Sequence, residues 1–172
     1  MKKFSTRKLA YTSVLLAVAL VAGSIEAALP PIIPALPFVR IGFSNVVTIF
    51  CYLVLGFPSA LAISALKSVL VPIFVGNPVM ALYSLTASVG SFLVSVLLLR
   101  IKRSGLPVIS VLGAITHNML QLCVAALMTG SAIVFGYAPW LVITGAGAGL
   151  ATGVTLYLLV RFLPARLTEN ID

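Results

Sequence analysis

The residues best suited to chemistry stand inside apolar segments of the chain. The stretch VLGAITHNMLQLCV at 111–124 places His117, the only histidine, beside Asn118, with Gln121 four residues beyond His117. On a helix, residues four apart share a face, so His117 and Gln121 point the same way, whereas Asn118 points about 100° away. These imidazole and amide groups could hydrogen-bond a ligand, or they could join neighbouring helices, as polar groups in membranes often do.

Three ionisable residues, Glu26, Arg40 and Lys67, lie in or near other apolar segments. An ionisable side chain inside a membrane is costly and usually faces a cavity or a charged partner. Arg40 and Lys67, with His117, outnumber the one carboxylate, so an anionic ligand group such as a carboxylate or phosphate is expected. Apolar walls would suit a ring, an acyl or a prenyl part. Simpler interpretations stay open: either cation could extend to the membrane surface, and Glu26 could pair with Arg40.

The candidate ligand-binding residues therefore form one set across several segments. They are Glu26, Arg40, Asn45, Lys67, His117, Asn118 and Gln121.

Catalytic motifs are missing from the sequence. There is no Ser-His-Asp set, no pair of carboxylates and no cluster of metal-binding residues. No GxxxxGK[ST] loop is present, so the chain is not expected to hydrolyse ATP itself. The only aspartate is Asp172, so the Asp-rich motifs that hold magnesium on a diphosphate cannot form. We therefore expect no enzymatic activity, no cofactor and no bound metal.

The elements that carry these residues are predicted to be membrane-spanning helices. Of the 172 residues, 61% are hydrophobic and 8% charged, against about 25% charged in soluble domains. The apolar runs are continuous, which favours helices over a barrel with alternating residues. The sequence predicts an all-α polytopic membrane protein, a single domain over 1–172. Its six spans are expected at about 9–29, 41–55, 59–75, 79–99, 108–128 and 140–159.

Basic residues indicate how these spans are oriented. The formal charge is +8, and nine of the eleven Lys and Arg fall on one side of a six-span arrangement. By the positive-inside rule, we expect both termini to be cytoplasmic, with the protein in the cell membrane. No basic patch is interleaved with aromatic residues, so nucleic-acid binding is not expected. The stretch PPIIPALP at 30–37 cannot be helical and is predicted to be a loop covering an outward-facing cavity.

Small residues recur at helical spacing in the first and last segments. Such faces let helices approach closely, either within the chain or against a partner. The last segment carries GAGAGLATG at 145–153, where internal packing is the simpler interpretation. In the first segment, an external partner helix and internal packing are both open. Its small residues at four-residue spacing are Ser13, Ala17, Ala19 and Gly23.

Two stretches together resemble a known family. The first resembles the opening of the second helix in the substrate-binding S component of energy-coupling factor (ECF) transporters. Its matching residues are Pro37, Arg40, Gly42, Asn45, Gly56 and Ala60. The second resembles one branch, the Gx transporter family, often labelled heptaprenyl diphosphate synthase component I. Its matching residues are Gly113, Ala114, His117, Asn118 and Gln121. The resemblance covers residues 8–160.

This resemblance implies a six-helix membrane subunit that captures a vitamin or related small molecule from outside. Such subunits dock on a membrane coupling protein and two cytoplasmic ATPases, and the small-residue face of their first helix meets the coupling protein. We therefore expect a substrate-binding subunit for a small anionic or amphipathic vitamin or precursor, surrounded by membrane lipid. Two alternatives stay open. One is a non-catalytic membrane accessory of heptaprenyl diphosphate or menaquinone synthesis, and the other is a self-sufficient small transporter or channel.

Overall fold

The computed structural model describes residues 6–30, 42–101 and 105–162. These residues form six α-helices and one short 3-10 helix, so the all-α prediction is confirmed. The α-helices are α1 (Thr6–Ala28), α2 (Phe43–Leu55), α3 (Phe57–Phe74), α4 (Met80–Arg100), α5 (Leu106–Thr129) and α6 (Ala138–Arg161). The 3-10 helix, Ala132–Tyr137, connects α5 to α6. Most of the proline-rich stretch, with Pro37 and Arg40, lies outside the described residues.

Five stretches of the described chain are long and apolar enough to cross a membrane. They are α1, α3, α4, α5 and the run Ala132–Arg161 that contains α6. Helix α2 has only 13 residues. Its length of about 20 Å is less than the roughly 30 Å thickness of a bilayer core. The chain is thus a multi-pass helical membrane protein in which α2 is packed among longer helices.

Helix α2 turns directly into α3 through a single glycine. Gly56 has φ 84°, in the region that side-chain-bearing residues rarely adopt, and Pro58 follows in the first turn of α3. Glycine tolerates the positive φ, and proline suits a helix start. Almost no loop therefore lies between the two helices. They run antiparallel, because Lys67 in the second half of α3 bonds Asn45 in the first turn of α2.

The glycines of α6 bring it into backbone contact with α5. A Cβ atom added at Gly149 would lie 2.5 Å from Val111 Cα, and one at Gly153 would lie 2.6 Å from Pro107 Cα. On the same face, nearer to the start of α6, a Cβ atom added at Gly145 would lie 3.4 Å from the Ile115 backbone. The glycine face of the last segment thus packs inside the chain.

The small residues of α1 divide between two sides of the helix. Ala19 is fully buried in a core cluster with residues of α2, α3 and α4. A Cβ atom at Gly23 would lie 2.9 Å from Val71 Cγ2 of α3. Ser13 and Ala17, by contrast, are exposed. Of the four predicted contact residues, Ser13 and Ala17 are therefore the two left on the open face of α1.

The bundle has two distinguishable ends. Lys8 at the start of α1, Arg100 at the end of α4 and Arg161 at the end of α6 stand at one of them, which we call the basic end. The opposite end holds the end of α1, the start of α2 and the end of α3. Lys67 lies ten residues from the start of α3 and seven from its last residue, so it stands about 10 Å below the opposite end.

Candidate functional site

A cavity of about 40 Å³ lies between α1, α2, α3, α4 and α5. We call it the lysine cavity, because Lys67 is on its wall. It gathers most of the ionisable and amide residues that the sequence singled out. Its lining consists of Gly23, Glu26, Gly42, Ser44, Asn45, Lys67, Ser68, Val71, Pro72, Ser84, Ser88, His117 and Gln121.

Lys67 is held by the first turn of α2. Its side chain is only 2% exposed, and its Nζ atom donates hydrogen bonds to Asn45 Oδ1 at 2.6 Å and to Ser44 Oγ at 3.0 Å. A buried ammonium is costly unless it is paired and hydrogen-bonded. An ammonium has three donors, so one remains beyond these two bonds for a group in the cavity.

Glu26 joins the end of α1 to the start of α2. It is 6% exposed, and its Oε1 atom accepts a hydrogen bond from the Gly42 backbone N–H. Gly42 has φ 89°, so the chain reaches α2 in a left-handed conformation that favours glycine. The one carboxyl group among the residues that line this cavity is thus bonded to the backbone at the start of α2.

His117 and Gln121 bring α5 to the same cavity. His117 is buried, and its Nδ1 atom lies 3.4 Å from Ser91 Oγ of α4. Gln121 is 2% exposed, and its Oε1 atom has no hydrogen-bond partner among the described residues. A buried acceptor without a partner costs about 1–3 kcal/mol. The cavity therefore offers an unmet acceptor as well as the Lys67 donors.

Asn118 lies on a different side of α5 from the cavity. Its Nδ2 atom donates to the Leu141 backbone oxygen of α6 at 3.0 Å, and Asn118 is not among the residues that line the lysine cavity. Of the seven candidate residues, the structure brings together Glu26, Asn45, Lys67, His117 and Gln121. Asn118 stands apart, and Arg40 lies outside the described residues.

A second cavity, of about 30 Å³, continues deeper between α2, α4, α5 and α6. We call it the hydroxyl cavity. It shares Gly42, Asn45 and Ser88 with the lysine cavity, and its other lining residues are Val46, Thr48, Ile49, Ser91, Phe92, Ser95, Ser110, Gly113, Ala114 and Thr152. The sequence reasoning missed it, although the serines of α4 at 84, 88, 91 and 95 carry a one-face spacing that could have indicated it.

The part of the chain that the structure describes contains no cluster of metal-binding side chains. No group of three His, Cys, Asp or Glu side chains there is placed to hold an ion.

Comparison with known proteins gives one match. The family model described as heptaprenyl diphosphate synthase component I matches residues 15–159, a range that includes every described residue lining the two cavities. No curated protein and no solved structure matches the chain.

Proposed function

The chain belongs to the heptaprenyl diphosphate synthase component I family, and on that premise we propose that it is the substrate-binding subunit of an ECF-type importer. It captures a small anionic or amphipathic vitamin or precursor from outside the cell. The observation that carries this proposal is the buried ammonium of Lys67, held by α2 inside a cavity that also receives groups from α1 and α5.

An anionic group is the ligand that this cavity suits best. Lys67 has a donor left beyond its bonds to Ser44 and Asn45, and His117 lines the same cavity. Hydrogen bonds to a charged group in a water-poor site contribute about 1.5–3 kcal/mol each. A carboxylate or phosphate beside Lys67 would also offset the cost of burying that ammonium.

The orientation follows from the charged ends of the bundle. The basic end carries the cluster that the positive-inside rule assigns to the cytoplasm, so both termini are cytoplasmic in this proposal. The lysine cavity is nearer to the opposite end, because Lys67 is in the last half of α3. It therefore faces the exterior of a prokaryotic cell membrane, the side from which a substrate is captured.

The energy for transport comes from partners in this proposal. The sequence has no nucleotide-binding loop, so an ECF coupling protein and two cytoplasmic ATPases would supply it. The exposed face of α1 with Ser13 and Ala17 is the surface that we assign to the coupling protein. The subunit itself is not an enzyme and needs no cofactor.

The family description favours a second candidate, a non-catalytic membrane accessory of heptaprenyl diphosphate or menaquinone synthesis. In that role the lysine cavity would hold the anionic head of an isoprenoid precursor and deliver it to a synthase. The two candidates share the anion site and differ in their protein partners.

The test uses native mass spectrometry of the full chain released from its host membrane. We expect wild type to retain a small anionic molecule that Lys67→Met and His117→Ala both lose. Lys8→Met at the basic end and Asn118→Ala on the α6 side of α5 are the matched controls, and both should keep it. Identical small molecules in wild type and Lys67→Met would refute the ligand site.

The partner arm separates the two candidates. A tagged chain expressed in its own host should carry an ATP-hydrolysing pair through purification, together with a membrane coupling protein. Recovery of a prenyl synthase without any ATPase would instead refute the importer and favour the accessory role.

A further inference from the structure

The hydroxyl cavity is lined by six hydroxyl-bearing residues from four helices. It reaches from Ser88, on the wall that it shares with the lysine cavity, to Ser95, seven residues further along α4. At 1.5 Å per residue this is about 10 Å of helix. The six are Thr48, Ser88, Ser91, Ser95, Ser110 and Thr152.

Several of these hydroxyl groups donate their hydrogen atom to a backbone oxygen of their own helix. Thr152 Oγ1 donates to the Ala148 backbone oxygen at 2.9 Å, and Ser95 Oγ donates to the Ser91 backbone oxygen at 2.9 Å. Thr48 Oγ1 makes the same kind of contact within α2, to Ser44 O at 3.4 Å. A hydroxyl has one donor and two acceptor lone pairs, so these side chains present acceptors to the cavity.

The two cavities therefore differ in the groups that they offer to a ligand. The lysine cavity offers the ammonium of Lys67, which is only a donor, together with two acceptors, the Glu26 carboxyl group and the unpartnered Gln121 Oε1. The hydroxyl cavity offers mainly hydroxyl acceptors, and the described residues that line it include no ionisable side chain. His117 and Ser91, 3.4 Å apart, stand on the two sides of the boundary.

We propose that one ligand occupies both cavities, with its anionic group beside Lys67 and a hydroxyl or amine group in the hydroxyl cavity. This inference rests on the proposed function, since it needs the lysine cavity to bind an anion. Spaces of about 40 and 30 Å³ each admit only a small group, comparable to a few water molecules. The substrate class is accordingly a small hydroxy or amino acid, or a phosphate ester with such a group, whose two ends stand roughly 5–10 Å apart.

Gly113 keeps the hydroxyl cavity open. A Cβ atom at this position would lie 2.6 Å from Ser95 Oγ, so alanine there would press on one of the acceptors. Gly147 of α6 gives the matched control, because a Cβ atom there meets nothing within 4 Å.

The experiment measures binding of matched probes to the purified full chain in lipid nanodiscs by calorimetry. One series is valerate, γ-hydroxybutyrate and γ-aminobutyrate, and the other is propyl, hydroxyethyl and aminoethyl phosphate. Within each series the anionic end is kept and the far methyl group is replaced by a donor. In wild type, the hydroxyl or amine probe should bind roughly three- to tenfold more tightly than the methyl probe, the effect of one hydrogen bond.

Four variants locate that preference. Thr152→Val and Gly113→Ala should reduce the ratio to about one while the methyl probe still binds. Thr155→Val removes an equivalent hydroxyl on the exposed side of α6, bonded to Ala151 O at 2.9 Å, and should keep the wild-type ratio, as should Gly147→Ala.

The possible results test separately whether one ligand occupies both cavities and whether the lysine cavity binds an anion. Equal binding of methyl and donor probes in wild type would overturn the two-cavity ligand and leave the anion site standing. A preference that survives both Thr152→Val and Gly113→Ala would also overturn it, because the donor group would then lie elsewhere. Failure of every anionic probe to bind wild type would overturn the proposed function as well. Preference for the phosphate or the carboxylate series would identify the anionic group.

Discussion

Alanine at Gly149 should destabilise the protein by forcing α5 and α6 apart. The added Cβ atom would lie 2.5 Å from Val111 Cα, 2.9 Å from Ser110 O and 3.0 Å from Val111 N. All three are backbone atoms, so no rotamer change relieves the overlap. Restoring an ordinary contact requires the two helices to separate locally by about 1 Å.

The size of the effect follows from the packing of these two helices. Overpacking a well-packed contact costs typically about 1–3 kcal/mol, and in a bilayer close packing is itself the main force between helices. Alanine also favours a helix over glycine by about 1 kcal/mol, which partly offsets the loss. We therefore expect Gly149→Ala to lower the free energy of unfolding by up to about 2 kcal/mol.

Gly147→Ala is the control for this reasoning. It makes the same chemical change two residues away, where the new Cβ atom meets nothing within 4 Å, so it should be neutral or slightly stabilising. Detergent unfolding can be followed through the fluorescence of Trp140, the only tryptophan, which stands near the start of α6. Equal stability of the two variants would refute the claim that the glycine face sets the distance between α5 and α6.

Two further substitutions test the charges and the proposed partner surface. In the Glu26→Gln variant, the side-chain oxygen can still accept the hydrogen bond from the Gly42 N–H, but the negative charge that repels an anion near Lys67 is gone. The phosphate probes should therefore bind roughly fivefold more tightly or better. Weaker binding by calorimetry would contradict the proposal that Glu26 repels the anionic group. Ala17→Leu adds bulk to the exposed face of α1 and should abolish recovery of the ATPase pair while probe binding stays at the wild-type level. Val14→Leu, which enlarges an already large exposed neighbour, should leave that recovery intact.

The fold could be predicted well from the sequence because apolar length and charge are strong signals in a membrane protein. The predicted segments overlap all six helices, and the shortness of the second one was already visible. The clustering of Glu26, Lys67 and His117 follows from the same physics. An ionisable group within a membrane must face the interior of the bundle, so residues far apart in sequence converge on one cavity.

The direction of Asn118 and the existence of the hydroxyl cavity were harder to predict. Asn118 and His117 are neighbours in the sequence, and only one of them can face the cavity. Which one does so depends on how α6 packs against α5, and the glycines at 145 and 149 determine that packing. Hydroxyls such as Ser95 satisfy their donors within their own helix, so a serine costs little on any face. Sequence alone therefore cannot separate a cavity-lining serine from one that faces lipid.

The start of α2 contacts both the carboxyl group of Glu26 and the ammonium group of Lys67. Gly42 is bonded to Glu26 of α1, and three residues later Asn45 is bonded to Lys67 of α3. A ligand anion can accept the third donor of the Lys67 ammonium while the bonds to Asn45 and Ser44 stay in place. Because the Lys67 ammonium bonds Ser44 and Asn45 directly, an anion that binds Lys67 lies next to the first turn of α2.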